Sequence, residues 1–381
     1  MSGTVKFADI LEARERIAPF VHRTPVMTCR AIDEIAGHQL FFKCENFQKV
    51  GAFKFRGACN AVFKLPEDVA KRGVVTHSSG NHAQALALAA RMRGIAAHIV
   101  MPRTAPGVKK RAVAGYGATI YECEPTLQAR ESTAADVMQR TGATLIHPFD
   151  NDDVIAGQGT CALELLEQVA AREFLPPFWG EVRRGVEYPS LHARPIAQPT
   201  PSPPPLKGGG DLLDAIMAPV GGGGLISGTC IAVRGHESNQ QSSINNHQST
   251  IRIFAAEPSG ADDAARSLAA GRIIPQTSPR TIADGLLTSL SERTFNIIRA
   301  HVEKIITVSD EEIVDAMRLI WERMKIIVEP SSATVLAAVL SEQFKLLDRS
   351  DEITSIGLIL SGGNVDLDHL PWGEIATDEH R

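Results

Sequence analysis

The sequence has no surplus of positive charge. Its 39 Lys and Arg stand against 44 Asp and Glu, a net charge of −5. With a pI near 6.2 it carries no basic footprint for nucleic acid or an anionic membrane surface. It lacks long hydrophobic runs: stretches such as Ile356 to Leu360 are strand-length and cannot span a bilayer. Met1-Ser2-Gly3-Thr4 leads into mixed charge, with neither an apolar leader core nor an Arg/Ser-rich transit pattern. Six cysteines (Cys29, Cys44, Cys59, Cys123, Cys161, Cys230) are scattered, with no C-x-x-C pair and no histidine at ligand spacing. No internal repeat is present. These absences lead us to expect a soluble, cytoplasmic protein. The 381 residues, 44% hydrophobic and 22% charged, suit two domains or one large one.

What is present alternates. Residues 7–18 keep helical spacing, Thr24-Pro25-Val26 is extended, and Gln39 to Cys44 reads as a strand. A helical stretch is expected from Ala58 to Leu65. Strands are then expected at Gly73–Thr76, Ala97–Met101, Thr119–Glu122 and Thr144–His147. Helices at Asn81–Arg93, Ala105–Tyr116 and Thr126–Arg140 separate them, the pattern of a parallel sheet covered on both faces. A second set follows: helix Gly157–Val169, strand Ala215–Val220, helix Leu225–Arg234, strand Ile251–Glu257, helices Glu311–Met324 and Ser331–Ser341, and strand Ile356–Leu360. Two open α/β sheets imply two domains with a cleft at the carboxyl ends of the strands. Residues 174–210 carry nine prolines between Pro176 and Pro205 and read as a disordered insertion. Residues 236–250, a Ser/Asn/Gln tract, read as a loop.

Four stretches carry chemistry. Lys54 lies in Gly51-Ala52-Phe53-Lys54-Phe55-Arg56-Gly57-Ala58, flanked by two phenylalanines and small residues. An amine held among apolar groups loses its proton readily and becomes a nucleophile for Schiff-base chemistry. The bland alternative is a snorkelling surface lysine. Ser78-Ser79-Gly80-Asn81-His82 joins a strand to a helix and can present free amides to a carboxylate or phosphate; a plain N-cap is the alternative. Gly221-Gly222-Gly223-Gly224, again between strand and helix, lets the backbone wrap an anion. It fits neither G-x-G-x-x-G nor G-x-x-x-x-G-K-[ST], which favours a small phosphate monoester over a dinucleotide or nucleoside triphosphate. Ser361-Gly362-Gly363-Asn364 follows a strand and can place a hydroxyl at the cleft, or simply turn the chain.

A lysine for an imine, a phosphate turn, a carboxylate turn and a hydroxyl at a strand end describe a pyridoxal-phosphate site. Together with Ala156-Gly157-Gln158-Gly159-Thr160 and Thr281-Ile282-Ala283-Asp284-Gly285, these stretches resemble the serine racemase and serine/threonine dehydratase family of fold-type II pyridoxal-phosphate enzymes. The resemblance covers nearly everything except the two insertions. It implies a tryptophan-synthase-β-like α/β fold of two open twisted domains. Residues 1–72 and 152–381 would form the large pyridoxal-phosphate domain and 73–151 the small one, with the site between them. Lys54 would hold the cofactor as a Schiff base, Phe53 would pack on its ring, and Asn81 would bond its 3′-oxygen. Gly221, Gly222, Gly223 and Gly224 would hold the phosphate, and Ser361 would meet the pyridine nitrogen. Ser78, Ser79, Asn81 and His82 would surround the substrate carboxylate, with Ser79 the second acid/base beside Lys54.

The same resemblance implies a divalent ion on Glu257, the Ala261 carbonyl and Asp263. Oxygen ligands suit Mg²⁺ or Ca²⁺, although acidic residues at a helix start capped by Ser259 are the plainer reading. It also implies a homodimer acting on a small amino acid. The expected reaction is α-proton abstraction from a β-hydroxy amino acid, then racemisation or loss of the hydroxyl. A threonine or 3-hydroxyaspartate ammonia-lyase, a β-replacing synthase and a non-catalytic cofactor binder are the rivals. Only 14 residues follow Leu367, so no C-terminal regulatory domain is expected.

Overall fold

The computed structural model describes residues 5–105, 107–175, 213–241, 250–348 and 352–372. Most of the expected insertion (176–210) and the tract 242–249 lie outside the described residues. Eleven strands are found among the described residues: β1 (Val26–Met27), β2 (Gln39–Cys44), β3 (Val74–His77), β4 (Ala97–Pro102), β5 (Thr119–Cys123), β6 (Thr144–Leu145), β7 (Phe174–Leu175), β8 (Ala215–Pro219), β9 (Arg252–Pro258), β10 (Lys304–Val308) and β11 (Ser355–Leu360). They form two sheets, ordered β10-β9-β8-β11-β2-β1-β7 and β5-β4-β3-β6. All pairings are parallel except β1 with β2. Strands β8 and β11 are buried at every position, as a parallel strand covered on both faces must be.

The covering helices are α1 (Phe7–Ile17), α2 (Arg30–Ala36), α3 (Lys54–Lys64), α4 (Glu67–Ala70), α5 (Asn81–Arg93), α6 (Gly107–Gly115), α7 (Leu127–Thr141), α8 (Asp152–Ala170), α9 (Gly224–Gln241), α10 (Asp263–Ala270), α11 (Glu292–His301), α12 (Asp310–Met324), α13 (Pro330–Leu340) and α14 (Glu342–Leu347). Two apolar clusters fill the two faces of the larger sheet. A third joins the smaller sheet to α3 through Phe55, Ala58 and Leu86, and a fourth lies under α7.

Four expectations change. Helix α3 begins at Lys54 rather than Ala58, so Lys54 sits in its first turn. Helix α8 begins at Asp152, where the Asn151 side chain accepts from the Val154 amide at 2.9 Å. The tract expected to loop from His236 continues α9 to Gln241. Phe174 and Leu175, expected within the disordered insertion, instead pair with Val26 and Met27 as β7.

Behind Lys54 lies a buried ion network. Arg56, with no exposed surface, gives Nε to Glu45 at 2.7 Å and Nη1 to Glu164 at 2.8 Å. Lys43 reaches Glu164 at 2.8 Å, Gln168 at 2.7 Å and the Thr24 carbonyl at 2.8 Å. Two cations and two carboxylates balance, and the network ties β2, α3 and α8 together. Removing one partner of such a cluster leaves a buried uncompensated charge, which costs about 3–5 kcal/mol. Arg56→Ala is therefore expected to lower the unfolding free energy by about that amount in a urea titration. A loss under about 1 kcal/mol would show that the network does not hold this helix.

Candidate active site

Five strand ends converge. The chain leaving β2 leads to Lys54, β8 to the glycine turn, β11 to Ser361, β3 to Ser78–His82, and β6 to His147 and Pro148. This is the carboxyl-end crevice where open α/β sheets take ligands. Lys54 Nζ donates to the Pro148 carbonyl at 3.0 Å and lies 5.1 Å from the centre of the Phe53 ring. Desolvation pulls its pKa down to about 8, opposed by the charge of Glu329. Ahead of it the backbone is strained, since Val50 has φ 58°, a region β-branched residues avoid. Asn364 Nδ2 holds the Val50 carbonyl at 2.7 Å. An isolated bridge pairs Ala52 with Gly362, and the Phe53 amide donates to the Ser361 carbonyl at 3.0 Å. Ser361 and Lys54 are thus fixed side by side.

The glycine turn fits an anion. A Cβ on Gly222 would collide with the Phe149 ring, and Gly223 has φ +84°, which strains any other residue. Helix α9 starts at Gly224. Among the described residues, no oxygen accepts from the amides of Gly221 to Gly224. Free amides at a helix start, in a cradle that only glycine leaves open, suit a phosphate. The turn before α5 is similar: the amides of Ser79, Asn81 and His82 meet no acceptor among the described residues, while Gly80 donates to Ser78 Oγ at 3.3 Å.

The side chains divide. Ser78, Ser79 and Asn81 are half-buried, and Ser361 and His82 are buried. His82 places Nε2 3.1 Å from the Ile146 carbonyl and leaves Nδ1 buried with no partner. Burial, reinforced by Lys54, drives its pKa to about 3, so the ring is neutral. Asn81 Nδ2 donates to both Glu329 oxygens at 3.0 and 3.1 Å, and Asn81 Oδ1 accepts from Asn364 Nδ2 at 2.9 Å. Burial first, then Asp284, raises Glu329 to about 7. Glu329, Pro148 and Phe149 have no role in the sequence reading. Glu329 offers no signal beyond a helix start at Pro330, and the other two only an apolar pair after a strand.

Glu257 lies near the end of β9 and Asp263 opens α10. Glu257 is fully buried and its oxygens accept from the Ala264 and Ala265 amides at 2.9 and 2.8 Å. Glu257 therefore caps α10 from outside it, and Ser259, read as the alternative cap, does not: the N-cap is Asp262. Both Asp263 oxygens are buried and make no well-formed hydrogen bond, with the amides of Leu290 and of Asp263 itself nearby, and no amide of the described residues donates to the Ala261 carbonyl. Burial raises Glu257 to about 8 and Asp263 to about 6. Among the described residues, no group of three His, Cys, Asp or Glu side chains is placed to hold a metal.

The sequence pattern of the pyridoxal-phosphate dependent enzymes matches residues 17–175 and 207–362. A serine racemase from Dictyostelium discoideum is 48% identical over 96% of this chain and 96% of its own. A beta-hydroxyaspartate dehydratase from Paracoccus denitrificans is 46% identical over 96% of this chain and 98% of its own. The crystal structure of the T.th. threonine deaminase aligns with a TM-score of 0.76 at 38% identity, covering 95% of this chain and 99% of that one.

The depressed Lys54 pKa has a kinetic consequence, because only the uncharged amine attacks an aldehyde. The rate at which apoprotein takes up pyridoxal phosphate should rise about tenfold per pH unit below the Lys54 pKa of about 8 and level off above it. Borohydride should fix the cofactor covalently to wild-type protein and not to Lys54→Ala. Cofactor fixed to that variant without added amines would place the imine on another residue.

Proposed function

The chain belongs to the pyridoxal-phosphate dependent enzyme family, with its fold-type II architecture, and we propose on that footing that it is a serine racemase with serine/threonine ammonia-lyase activity. It takes the α-proton from a β-hydroxy amino acid. It then returns a proton on the opposite face, giving the D-isomer, or loses the hydroxyl, giving a 2-keto acid and ammonia. The observation that carries this reading is the Lys54 amine on the Pro148 carbonyl, set among strand ends that bear two turns of free amides.

Pyridoxal phosphate, when bound, supplies the electron sink that makes the α-proton acidic. The residues do the rest. Gly221 to Gly224 would hold its phosphate, Phe53 would pack on its ring and Ser361 would offer its nitrogen a neutral hydroxyl, while Asn81 would bond its 3′-oxygen in exchange for part of its contact with Glu329. The Ser78–His82 turn orients the substrate carboxylate through the amides of Ser79, Asn81 and His82. Lys54 removes the proton on one face, its low pKa matching a base working near neutrality. Ser79, half-buried at the start of α5, exchanges a proton on the other face. Free amides and the positive end of the helix favour a developing negative oxygen there.

We assign residues 73–151 to a small domain, supported by its separate sheet, and carry forward the cytoplasmic location and the homodimer. No helix among the described residues is long and apolar enough to cross a membrane. We also assign Mg²⁺ or Ca²⁺ to Glu257, the Ala261 carbonyl and Asp263. The support is the buried Asp263 carboxylate, which has no well-formed side-chain or backbone partner beyond the nearby amides of Leu290 and of Asp263 itself, since buried carboxylates are otherwise paired.

A second reading, 3-hydroxyaspartate ammonia-lyase, has its own support. Arg130, on α7, leaves Nε buried with no partner, and its charge reaches His77, which precedes Ser78. A guanidinium with free capacity near the carboxylate turn suits a substrate with a second carboxylate. Assays of D-isomer and keto acid from serine, threonine and 3-hydroxyaspartate rank the two readings.

Ser79→Ala tests the two-face reading. Racemisation and D-serine elimination should fall by about a hundredfold or more, with L-serine elimination nearly unchanged. An equal fall in all three reduces Ser79 to a binding residue. For the ion, Mg²⁺ at about 100 times its dissociation constant should stabilise the fold by about 2.7 kcal/mol. EDTA should lower the thermal midpoint in wild type and leave Asp263→Ala unmoved; a wild-type midpoint indifferent to EDTA sinks the assignment.

A further inference from the structure

We propose that His147 is a positioning residue that sets both the Lys54 amine and the glycine turn, acting through the turn of residues 147–150. Its Nδ1 lies 2.9 Å from the Asp150 amide and 3.4 Å from the Phe149 amide, and both donate to it. A ring nitrogen that accepts carries a lone pair, so the His147 proton resides on Nε2. This acceptor curls the chain so that the two intervening groups face different parts of the site. The Pro148 carbonyl meets Lys54 Nζ at 3.0 Å; proline has no N–H, so at this point the backbone can only accept. The Phe149 ring occupies the space a Cβ on Gly222 would need, and the Phe149 Cβ would stand 3.0 Å from one on Gly224. His147 also packs edge-on against Phe149, with ring centres 4.6 Å apart.

The far side of the turn is anchored independently. Arg293 pairs with Asp150, and its Nε reaches Asp152 at 2.7 Å. The groups around the imidazole agree with a neutral ring. Burial, His77 at 5.2 Å, Lys54 and Arg293 all disfavour its charged form, and Asp150 alone opposes them. One unprotonated nitrogen thus sets the rest position of the amine and the wall of the phosphate cradle. A rigid support of this kind matters because a displacement of about 1 Å at a reacting group costs about a hundredfold in rate.

The inference rests on the proposed role of Lys54, and its test separates the two. Holoenzyme is prepared with His147→Asn, which puts an amide oxygen where Nδ1 stands, with His147→Gln, which moves it outward, and with His147→Leu, which removes it. The dissociation constant of pyridoxal phosphate, the pH midpoint of its absorption band, kcat and KM are measured. His147→Leu should weaken cofactor binding about tenfold and lower kcat about a hundredfold, with a smaller change in KM and a shifted band midpoint. His147→Asn should recover to within about threefold of wild type, and His147→Gln should resemble His147→Leu. Asn and Gln variants that behave alike, or a Leu variant like wild type, overturn the proposal. If His147→Leu does not fold, the Asn and Gln pair decides alone. Borohydride reduction of wild type followed by peptide mapping reports on Lys54 separately: label on another lysine sinks the Lys54 reading, whereas label on Lys54 with equal Asn and Gln variants sinks only this one.

Discussion

Keeping an amine out of water without giving it a salt bridge is the constraint on which this structure turns. Two lysines show the alternatives. Lys43, with no exposed surface, is matched by Glu164 at 2.8 Å and two neutral oxygens, the arrangement a buried charge requires. Lys54, half-buried eleven positions on, meets a carbonyl and a phenyl ring and no carboxylate among the described residues. The nearby carboxylate of Glu329 is engaged with Asn81 and with the Asn364 amide. The first lysine stabilises the scaffold, and the second is left reactive. Arg56 joins them, because it lies on the helix that Lys54 begins and shares Glu164 with Lys43.

Parallel topology supplies the rest of the site at little extra cost. Every strand of a parallel sheet delivers its chain to the same edge. In the larger sheet β2, β11 and β8 are near neighbours. The lysine, the Ser361 hydroxyl and the glycine turn therefore come from strands about 5 Å apart in the hydrogen-bonding direction. The smaller sheet offers its own central strand, β3, and its edge strand β6. Local sequence needs only to place the right turn after each strand.

That division explains what could be read from the sequence. Lys54, the Ser78–His82 turn, the glycine turn and Ser361 each carry a local signature: an amine among apolar residues, or glycine and hydroxyl residues between two periodicities. The structure brings these stretches to one edge. Glu329 had no such signature; only folding sets it beside Asn81, 248 positions away. Phe149 is unreadable for the same reason, because its role is to fill space beside Gly222. Errors at element ends have local causes. Helix α3 starts early because Lys54 and Phe55 are good enough helix residues once tertiary packing fixes them. Helix α10, eight residues long, and strand β10 fall in a stretch too short in period to show its pattern. Chain around Pro258 to Gly285 is held by side-chain caps such as Asp310 on the Ile282 amide at 3.1 Å, which periodicity does not record.

The contacts between the two sheets differ on opposite sides of the cleft. On one side α3 packs on α5 and the smaller sheet through Phe55, Ala58, Cys59 and Leu86, all without exposed surface. On the other the links are polar: Lys109 with Asp284, Arg293 with Asp150, and Asn81 with Glu329. Lys109 and Asp284 are 28% and 53% exposed, and an ion pair open to water contributes about 0–1 kcal/mol. That exposed pair therefore adds little, whereas the Glu329 carboxyl held by Asn81 is buried and, like the apolar contacts, would be costly to leave without its partner.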